Sequence, residues 1–386
     1  MKVLYDYQAF VPHLYSGVSN CFCKLISHLP DEIQPVISVL QSNNYHLIES
    51  NLVTDLKPAL IDSRIVGEMF YFPGKMRLYT MLSSMGIIKS AEYINKQYSI
   101  KLQKDKDYDI FHPTFFDTYF LENIGNKPFV LTIHDMMPEL FPQYYSKNNM
   151  QILSKKKLVN KASAIIAVSE RTKQDIIRFL GVDPDKITVI HHAGPIQEDI
   201  KQPSLIESDY FLYVGVRSAY KNFYKTIEDF KNVVKLYPKI KLVCTGPTFT
   251  NQEISFFKYL DIESNIIHYS ANNNDLKVLY SNALAFIYPS LYEGFGIPIL
   301  EAFAYGCPVI LNNASCFPEI AADAAIYFKS DGKSSNLSQT LIEFIRKTKF
   351  ERDDLIARGY ERLKDFSWVK SSLKLANVYD KVLNSI

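Results

Sequence analysis

The stretch that decides the fold is 287–308, which reads I-Y-P-S-L-Y-E-G-F-G-I-P-I-L-E-A-F-A-Y-G-C-P. The apolar run at 283–288 predicts a buried strand of a parallel sheet. Pro298 suits the first position of a helix, and Gly306 suits the residue just past its end. The sequence therefore predicts a strand, a glycine turn and a helix in succession, and such a turn offers unpaired backbone amides to an anion or to sugar hydroxyls.

Two carboxylates flank this turn. Glu293 lies just before the glycines, and Glu301 lies near the start of the predicted helix, so both can face one crevice. A solvated loop acid followed by a glutamate that the helix dipole favours would give the same pattern. The residues alone leave a ligand site and a structural turn open.

The string at 293–310, E-G-F-G-I-P-x-L-E-A-F-A-x-G-x-P-V-I, resembles the E-x7-E signature of the retaining nucleotide-sugar glycosyltransferases of family 4. The resemblance implies that Glu293 binds hexose hydroxyls together with backbone amides of the turn. It also implies that Glu301 binds the ribose of the nucleotide. The donor-binding turn implied in this way comprises Gly294, Phe295, Gly296 and Ile297.

Composition limits the class of protein. The chain has 386 residues, of which 47% are hydrophobic and 22% charged, and this length suits two domains. The net charge of +2 argues against nucleic-acid binding, which calls for a strongly basic face. The five cysteines show neither zinc nor disulfide spacing. The chain opens directly on a predicted strand, and we expect a cytoplasmic protein with no secretory signal, no membrane-spanning helix and no bound metal.

Short apolar runs alternate with helical patterns in both halves of the chain, which predicts mostly parallel sheets covered by helices. The predicted strands are Val3–Tyr5, Val36–Leu40, Ile110–His112, Phe129–Ile133, Ala164–Val168 and Ile187–His191 in the first half, and Phe211–Val214, Lys241–Cys244, Ile266–Tyr269, Ala283–Tyr288 and Val309–Leu311 in the second.

The polar segment 193–209, punctuated by glycine and proline, predicts a linker between two domains. We expect Rossmann-like, doubly wound α/β domains at 1–200 and 201–365, and a C-terminal helix within 366–386. The family resemblance implies the GT-B fold, in which the two domains face each other across a cleft and the last helix crosses back to the first. It also implies that the first domain binds the acceptor and the second binds the nucleotide sugar.

A second motif follows the first strand of the second half, where 211–223 reads F-L-Y-V-G-V-R-S-A-Y-K-N-F. Gly215 ends the strand, and Arg217 and Lys221 follow it, where cations suit a diphosphate. A solvated basic loop is the alternative. The motif also resembles the phosphate-binding loop of family 4. Lys221 falls where the family has its lysine, whereas Arg217 stands one residue later than the family's usual arginine.

Three further positions are candidate donor contacts. The resemblance implies that Gly246, in the strand end L-V-C-T-G-P, and Tyr269 lie near the base and ribose, although Tyr269 equally suits a packing position at the rim. Gly17, in Y-S-G-V-S after the first strand, lets backbone amides approach a diphosphate. A simple tight turn would place a glycine at the same position.

A His-Asp pair ends the predicted strand at 129–135, F-V-L-T-I-H-D. Such a pair suits a proton relay, a metal half-site or a structural loop pair. The resemblance implies that His134 lies close to the transferred sugar and that Asp135 lies on the acceptor side. Ser169, after the next strand, is predicted to cap the following helix.

The segment 69–106 is biased toward basic and aromatic residues. It carries seven basic and two acidic residues between Lys75 and Lys106, preceded by M-F-Y-F-P. This pattern suits peripheral docking on an anionic membrane, and it equally suits a solvated helix with a core-facing aromatic stripe.

The resemblance implies a retaining, metal-independent hexosyltransferase that uses no cofactor beyond a GDP- or UDP-linked donor. Y-D-Y-Q-A-F, V-G-x-R-x-x-Y-K-N-F and H-D-M-M-P-E are similar to bacterial mannosyltransferase-like members, so GDP-mannose is the first expectation. The acceptor would be a glycan or lipid-linked saccharide in O-antigen or capsule synthesis. A phosphorylase or epimerase of the same architecture and a non-catalytic partner subunit remain alternatives. A dehydrogenase would need G-x-G-x-x-G after the first strand, which is lacking.

Overall fold

The structure is a computed structural model that describes residues 1–11, 13–59, 73–85, 89–145 and 149–385. Residues 69–72 and 86–88 of the basic and aromatic segment lie outside these ranges. Contacts divide the chain into two compact units. The first comprises Met1–Val168, Thr172–Ile190 and Trp368–Ile386, and the second comprises Ser169–Arg171 and His191–Ser367.

The first unit is built on parallel strands. β1 (Lys2–Tyr5) lies between β2 (Gln34–Ile37) and β3 (Ile110–His112), and β5 (Ala164–Ala167) lies between β4 (Val130–Ile133) and β6 (Ile187–Val189). A single parallel bridge between Phe111 and Phe129 joins the two sets. The order is therefore β2-β1-β3-β4-β5-β6, and the direction of winding reverses between β1 and β3.

Helices alternate with these strands, as the sequence predicts. The last of them, α15 (Trp368–Asn384), brings the C-terminus back to the first unit, which confirms the prediction that the final helix crosses back. In the described part of this unit the helices are α1 (Gly17–Ser27), α2 (Tyr45–Ser50), α3 (Lys75–Ser84), α4 (Ala91–Asp105), α5 (Met137–Leu140), α6 (Met150–Lys161), α7 (Glu170–Leu180) and α15 (Trp368–Asn384).

A buried polar chain anchors α15 in the first unit. The Tyr379 hydroxyl lies 2.7 Å from the Tyr5 hydroxyl and 2.6 Å from His112 Nδ1. His112 Nε2 lies 2.9 Å from Thr132 Oγ1. Burial lowers the pKa of His112 to about 3, so the imidazole is neutral at pH 7. Because Leu375 packs in the same hydrophobic cluster, α15 contributes both apolar and polar groups to this core.

The second unit contains one parallel sheet in the order β12-β11-β10-β7-β8-β9. This is the Rossmann order, in which winding reverses between β7 and β10, and ligands of such sheets bind beyond the carboxyl ends of those strands. Ala325–Phe328 is a strand that the sequence did not predict. The strands are β7 (Tyr210–Tyr213), β8 (Lys241–Cys244), β9 (Ile266–His268), β10 (Ala285–Tyr288), β11 (Val309–Asn312) and β12 (Ala325–Phe328).

The helices of the second unit cover this sheet. Phe211, Phe230 and Phe344 meet on one side of it in a fully buried aromatic cluster. The helices are α8 (Phe223–Leu236), α9 (Asn251–Tyr259), α10 (Asn273–Asn282), α11 (Ile297–Ala304), α12 (Phe317–Ala321), α13 (Leu337–Ile345) and α14 (Lys349–Leu363).

Candidate functional site

A cation and an acid meet at the point where the strand order of the second unit's sheet reverses. Lys221 Nζ lies 2.6 Å from Glu293 Oε1, and each side chain is 14% exposed. Lys221 is in the loop after β7, and Glu293 is in the loop after β10. The two loops are joined by a backbone hydrogen bond from Leu291 N to Tyr220 O of 2.8 Å. Two residues that the sequence singled out separately are therefore neighbours.

A tyrosine ring and a serine lie against this pair. Lys221 Nζ lies 5.4 Å from the centre of the Tyr288 ring. Burial raises the pKa of Tyr288, and the adjacent Glu293 carboxylate raises it further, so the phenol keeps its proton. Ser315 accepts a hydrogen bond from Glu293 N and donates one to Glu293 O, at 3.2 and 2.6 Å. The backbone on which the carboxylate stands is thus held on both sides.

The glycine turn leads into α11 as predicted. Gly296 has a φ of +97°, and a Cβ there would lie 3.2 Å from Ile299 Cδ1, so both conformation and space favour glycine. Gly294 O accepts a hydrogen bond from Ser169 Oγ at 2.6 Å. Phe295 is buried, with its ring centre 5.2 Å from that of His192. This predicted donor residue therefore anchors the turn by its side chain, and Ile297 begins the helix.

Glu301, the second acid of the motif, lies on α11 and is half-buried. Its Oε2 accepts a hydrogen bond from the Tyr280 hydroxyl at 3.2 Å. Burial raises the pKa of Glu301, and the bond from Tyr280 opposes this rise. The carboxylate can still accept a ribose hydroxyl, because one hydrogen bond leaves most of its lone pairs available.

Arg217 is directed toward α9. Its Nε lies 2.6 Å from Glu253 Oε1, and its side chain is 5% exposed. Its Nη2 donates to Thr248 O at 2.9 Å, and its guanidinium lies 4.9 Å from the Phe249 ring centre. Burial opposes ionisation of Glu253, but hydrogen bonds from Arg217 and Thr250 outweigh it and lower the pKa of this carboxyl. The charge of Arg217 is thus balanced by Glu253 on α9, whereas the charge of Lys221 is balanced by Glu293, an acid of the candidate site.

The strand ends next to β7 supply backbone rather than charge. Gly246 has a φ of +102°, and a Cβ there would lie 2.6 Å from Gly215 O. The loops after β7 and β8 therefore approach each other closely only because Gly246 has no side chain. Gly215 has a φ of +113° and open space at its Cβ position. Half-buried Tyr269 follows β9, and its backbone N–H donates to Cys244 O at 3.0 Å.

In the first unit, the His-Asp pair follows β4. Asp135 Oδ1 accepts a hydrogen bond from Met137 N at 2.9 Å, which orders the start of α5. The His134 ring lies 5.8 Å from that of Phe22. Burial lowers the pKa of His134 to about 4; nearby Asp135 opposes this effect and Lys155 adds to it. The imidazole is therefore neutral at pH 7, and it suits hydrogen bonding to a sugar hydroxyl better than proton donation.

Lys155 is a residue of this region that the sequence reading missed. Its side chain is fully buried, and Nζ lies 3.1 Å from Glu139 Oε2 and 3.0 Å from Asp135 O. In the sequence it lies within S-K-K-K, which has the appearance of a solvated basic run. The detectable signal is spacing, since Leu158 and Val159 follow by three and four residues and share its buried helix face.

Gly17 is the first residue of α1. Ser16 caps the helix, its Oγ accepting from Val18 N at 3.2 Å. A Cβ on Gly17 would meet no atom within 4 Å, so the space beside this helix start is open. The structure thus places Gly17 where backbone amides are accessible.

Two features are absent from the described residues, namely a metal-binding cluster and a membrane-spanning helix. In those ranges no three His, Cys, Asp or Glu side chains are grouped to hold a metal ion. Over the same part of the chain, no helix has both the length and the apolar character to cross a membrane.

Two family models match the chain. The model "Glycosyltransferase Family 4" matches residues 76–193, and the model "Glycosyl transferases group 1" matches 196–362. Together they span most of the chain and include both Lys221 and Glu293. The chain belongs to the family 4 glycosyltransferases.

Two curated relatives are bacterial. The O-antigen chain mannosyltransferase RfbU of Salmonella typhimurium is 30% identical over 206 residues, 53% of this chain and 58% of that protein. O-antigen chain mannosyltransferase B of Escherichia coli is 26% identical over 302 residues, 72% of this chain and 75% of that protein. The aligned part thus spans little more than half of the Salmonella protein.

Solved structures show the fold. A sucrose-phosphate synthase from Thermosynechococcus elongatus superposes with a TM-score of 0.69 at 15% identity, covering 100% of this chain and 99% of that one. Anabaena HepE, solved in complex with UDP and glucose, superposes with a TM-score of 0.68 at 16% identity, covering 98% of this chain and 99% of that one. The predicted GT-B fold class, with two Rossmann-like domains, is confirmed.

We predict that Lys155→Met destabilises the first unit strongly. Removing the ammonium leaves the buried Glu139 carboxylate without its counter-charge, which costs ~3–5 kcal/mol. Trp368 is the single tryptophan, and it packs against the core of this unit, so its fluorescence in urea reports the loss.

Lys156→Met is the matched control, because Lys156 is the exposed neighbour and should change stability by no more than ~0.5 kcal/mol. Adding Glu139→Gln to Lys155→Met should restore part of the loss. Equal urea midpoints for the Lys155 and Lys156 variants would show that the buried pair is not a structural requirement.

Proposed function

We propose that the chain is an enzyme that transfers a hexose from a nucleotide sugar to a glycan or lipid-linked acceptor in the synthesis of a surface polysaccharide. The observation that supports this most directly is the Lys221–Glu293 pair beyond the carboxyl ends of β7 and β10. A cation beside a carboxylate matches the two ends of the bond that such a reaction breaks. Lys221 would bind the diphosphate, and Glu293 would bind hydroxyls of the sugar.

Binding of the donor would redistribute the hydrogen bonds of this pair. The diphosphate competes with Glu293 for the Lys221 ammonium, and sugar hydroxyls then donate to the carboxylate that the lysine had occupied. Negative charge on the leaving diphosphate grows as the glycosidic bond breaks. Lys221 is preorganised beside that charge, and one such donor is typically worth ~100- to 1000-fold in rate. The amides of the turn before α11 would add further donors.

The stereochemical course that we propose is retention without a metal ion. In this scheme the leaving phosphate accepts the proton of the acceptor hydroxyl, which attacks from the same face of the sugar. Lys221 provides the positive charge that stabilises the phosphate. Neutral His134 would position a sugar hydroxyl by hydrogen bonding, with Asp135 ordering the acceptor-side loop through Met137 N.

GDP-mannose is the donor that we propose, because both bacterial relatives above are named as mannosyltransferases. UDP is the competing nucleotide, since HepE, which has a similar fold, was solved with UDP and glucose. The base and ribose would lie at the glycine-lined strand ends, near Gly246, Tyr269 and Glu301. No further cofactor is part of the proposal.

Thermal unfolding with nucleotides tests this proposal. A ligand at a hundred times its Kd stabilises the protein by ~2.7 kcal/mol, which corresponds to a rise in Tm of roughly 5–10 °C for a domain of this size. We expect GDP to raise the Tm more than UDP, and GMP to have little effect because it lacks the second phosphate. A larger shift with UDP would refute the donor, and no shift with either diphosphate would refute the nucleotide-sugar site.

We further propose that the protein works at the cytoplasmic face of a membrane and docks there through 69–106. In the described part of this segment, Arg77, Leu78 and Met85 are exposed, with Leu78 43% and Met85 64% accessible. A cation beside exposed apolar side chains suits an anionic lipid surface.

Sedimentation with vesicles tests the docking. The protein should pellet with phosphatidylglycerol vesicles more than with phosphatidylcholine vesicles, and Leu78→Ser with Met85→Ser should reduce pelleting severalfold. Leu236→Ser is the control, since Leu236 is 58% exposed on α8 of the second unit. Pelleting that is unaffected by the first pair, or absent with wild type, would contradict the proposal.

A further inference from the structure

Three aromatic rings lie together at the surface of the first unit, next to the Gly17 turn. The Tyr15 ring centre is 5.3 Å from that of Tyr45 and 6.2 Å from that of His46, and the Tyr45 and His46 centres are 5.7 Å apart. The planes of the tyrosines differ by 34°, whereas the imidazole stands nearly perpendicular to both. Tyr15 is 66% exposed and Tyr45 37%. The three rings thus form an exposed cluster, which we call the aromatic corner.

Hydrogen bonds hold the backbone of the aromatic corner. Tyr45 N donates to Leu14 O at 2.9 Å. Asn44 is buried, and its Nδ2 donates to His13 O at 2.7 Å and to Ser19 Oγ at 3.0 Å. This one side chain therefore joins the loop that carries Tyr15 to the helix that carries Tyr45. A prearranged pair of rings loses less entropy on binding than two mobile ones would.

The aromatic corner lies at the edge of its sheet that is formed by the carboxyl ends of the strands, where ligands of such sheets bind. It follows the carboxyl end of β1, next to the point where the strand order reverses. The helix that begins at Gly17 also carries Phe22, whose ring contacts that of His134. Phe22 lies about 8 Å of helix rise beyond Gly17. The corner is therefore at the same edge as the His-Asp loop and displaced from it.

Charge near the corner is balanced. Burial lowers the pKa of His46, while Glu49 raises it and Lys24 lowers it, so one acid and one base act on the imidazole in opposite directions. An anionic lipid surface would call for a cluster of lysines and arginines. A neutral ligand with a flat apolar face and polar edges fits better. A pyranose has this form, with C–H groups on its faces and hydroxyls around its rim.

We propose that Tyr15, Tyr45 and His46 form a saccharide-stacking subsite that holds a sugar unit of the acceptor chain away from the reacting hydroxyl. The subsite rests on the proposed function, because the acceptor is its ligand. Sugar C–H groups pack on the phenol faces, which buries apolar surface of both partners. The phenol hydroxyls and the imidazole form hydrogen bonds with the sugar rim. The enzyme would then bind longer acceptors more tightly than short ones.

Calorimetric titration with manno-oligosaccharides of increasing length tests the subsite. The wild-type protein should bind the longest oligosaccharide about tenfold more tightly than the variant Tyr15→Ala Tyr45→Ala, a difference of ~1.4 kcal/mol. The two proteins should bind the disaccharide equally. Tyr15→Phe Tyr45→Phe should retain most of the affinity, because it keeps the ring faces. Tyr259→Ala, at a tyrosine that is 83% exposed on the second unit, should match wild type.

Other outcomes separate the subsite from the proposed function. Equal affinities of wild type and the alanine variant for every oligosaccharide, or no binding by wild type, would overturn the subsite. Loss of phosphatidylglycerol vesicle binding in the alanine variant, with saccharide binding unchanged, would assign the rings to lipid and also overturn it. GDP should raise the Tm of wild type and variant alike. If neither GDP nor UDP stabilises either protein, the proposed function fails, whatever the saccharide result.

Discussion

The proposed chemistry depends on one ion pair, Lys221–Glu293, whose partners are 72 residues apart in the chain. They meet because β7 and β10 are neighbours where the strand order reverses, so the loops after both strands open at the same place. Partial burial of two charges incurs a desolvation penalty that their attraction only partly offsets. Such a pair contributes little to stability, and under the proposed function a ligand uses both of its charges.

The first unit uses buried polar groups for a different purpose. The Tyr379 hydroxyl bridges Tyr5 and His112, and Lys155 joins Glu139 to the backbone of the His-Asp loop. Both clusters lie at or near strand ends, where irregular backbone needs hydrogen-bond partners. Lys155 orders the loop that presents His134, and burial keeps the imidazole neutral.

Much of this could be predicted locally. The strand, glycine turn and helix around Glu293 follow from short-range signals, and the structure has them. The pairing of Lys221 with Glu293 could not be deduced from the residues, because it requires the strand order. The partner of Arg217 is also distant in sequence, since Glu253 lies 36 residues later, on α9. β12 was missed because A-I-Y-F follows the alanine-rich stretch A-A-D-A, in which Asp323 is the single turn-forming residue. Lys155 was hidden by the lysines beside it.

The most direct test of the ion pair is turnover of the nucleotide-sugar donor by Lys221→Ala, with Lys225→Ala as its control. Lys225 lies four residues further along, on α8, and pairs with Glu228 and Asp229. If Lys221 stabilises the leaving diphosphate, its removal lowers kcat ~100-fold or more while the protein stays folded, and the control keeps wild-type turnover. Equal turnover by the two variants would contradict the account.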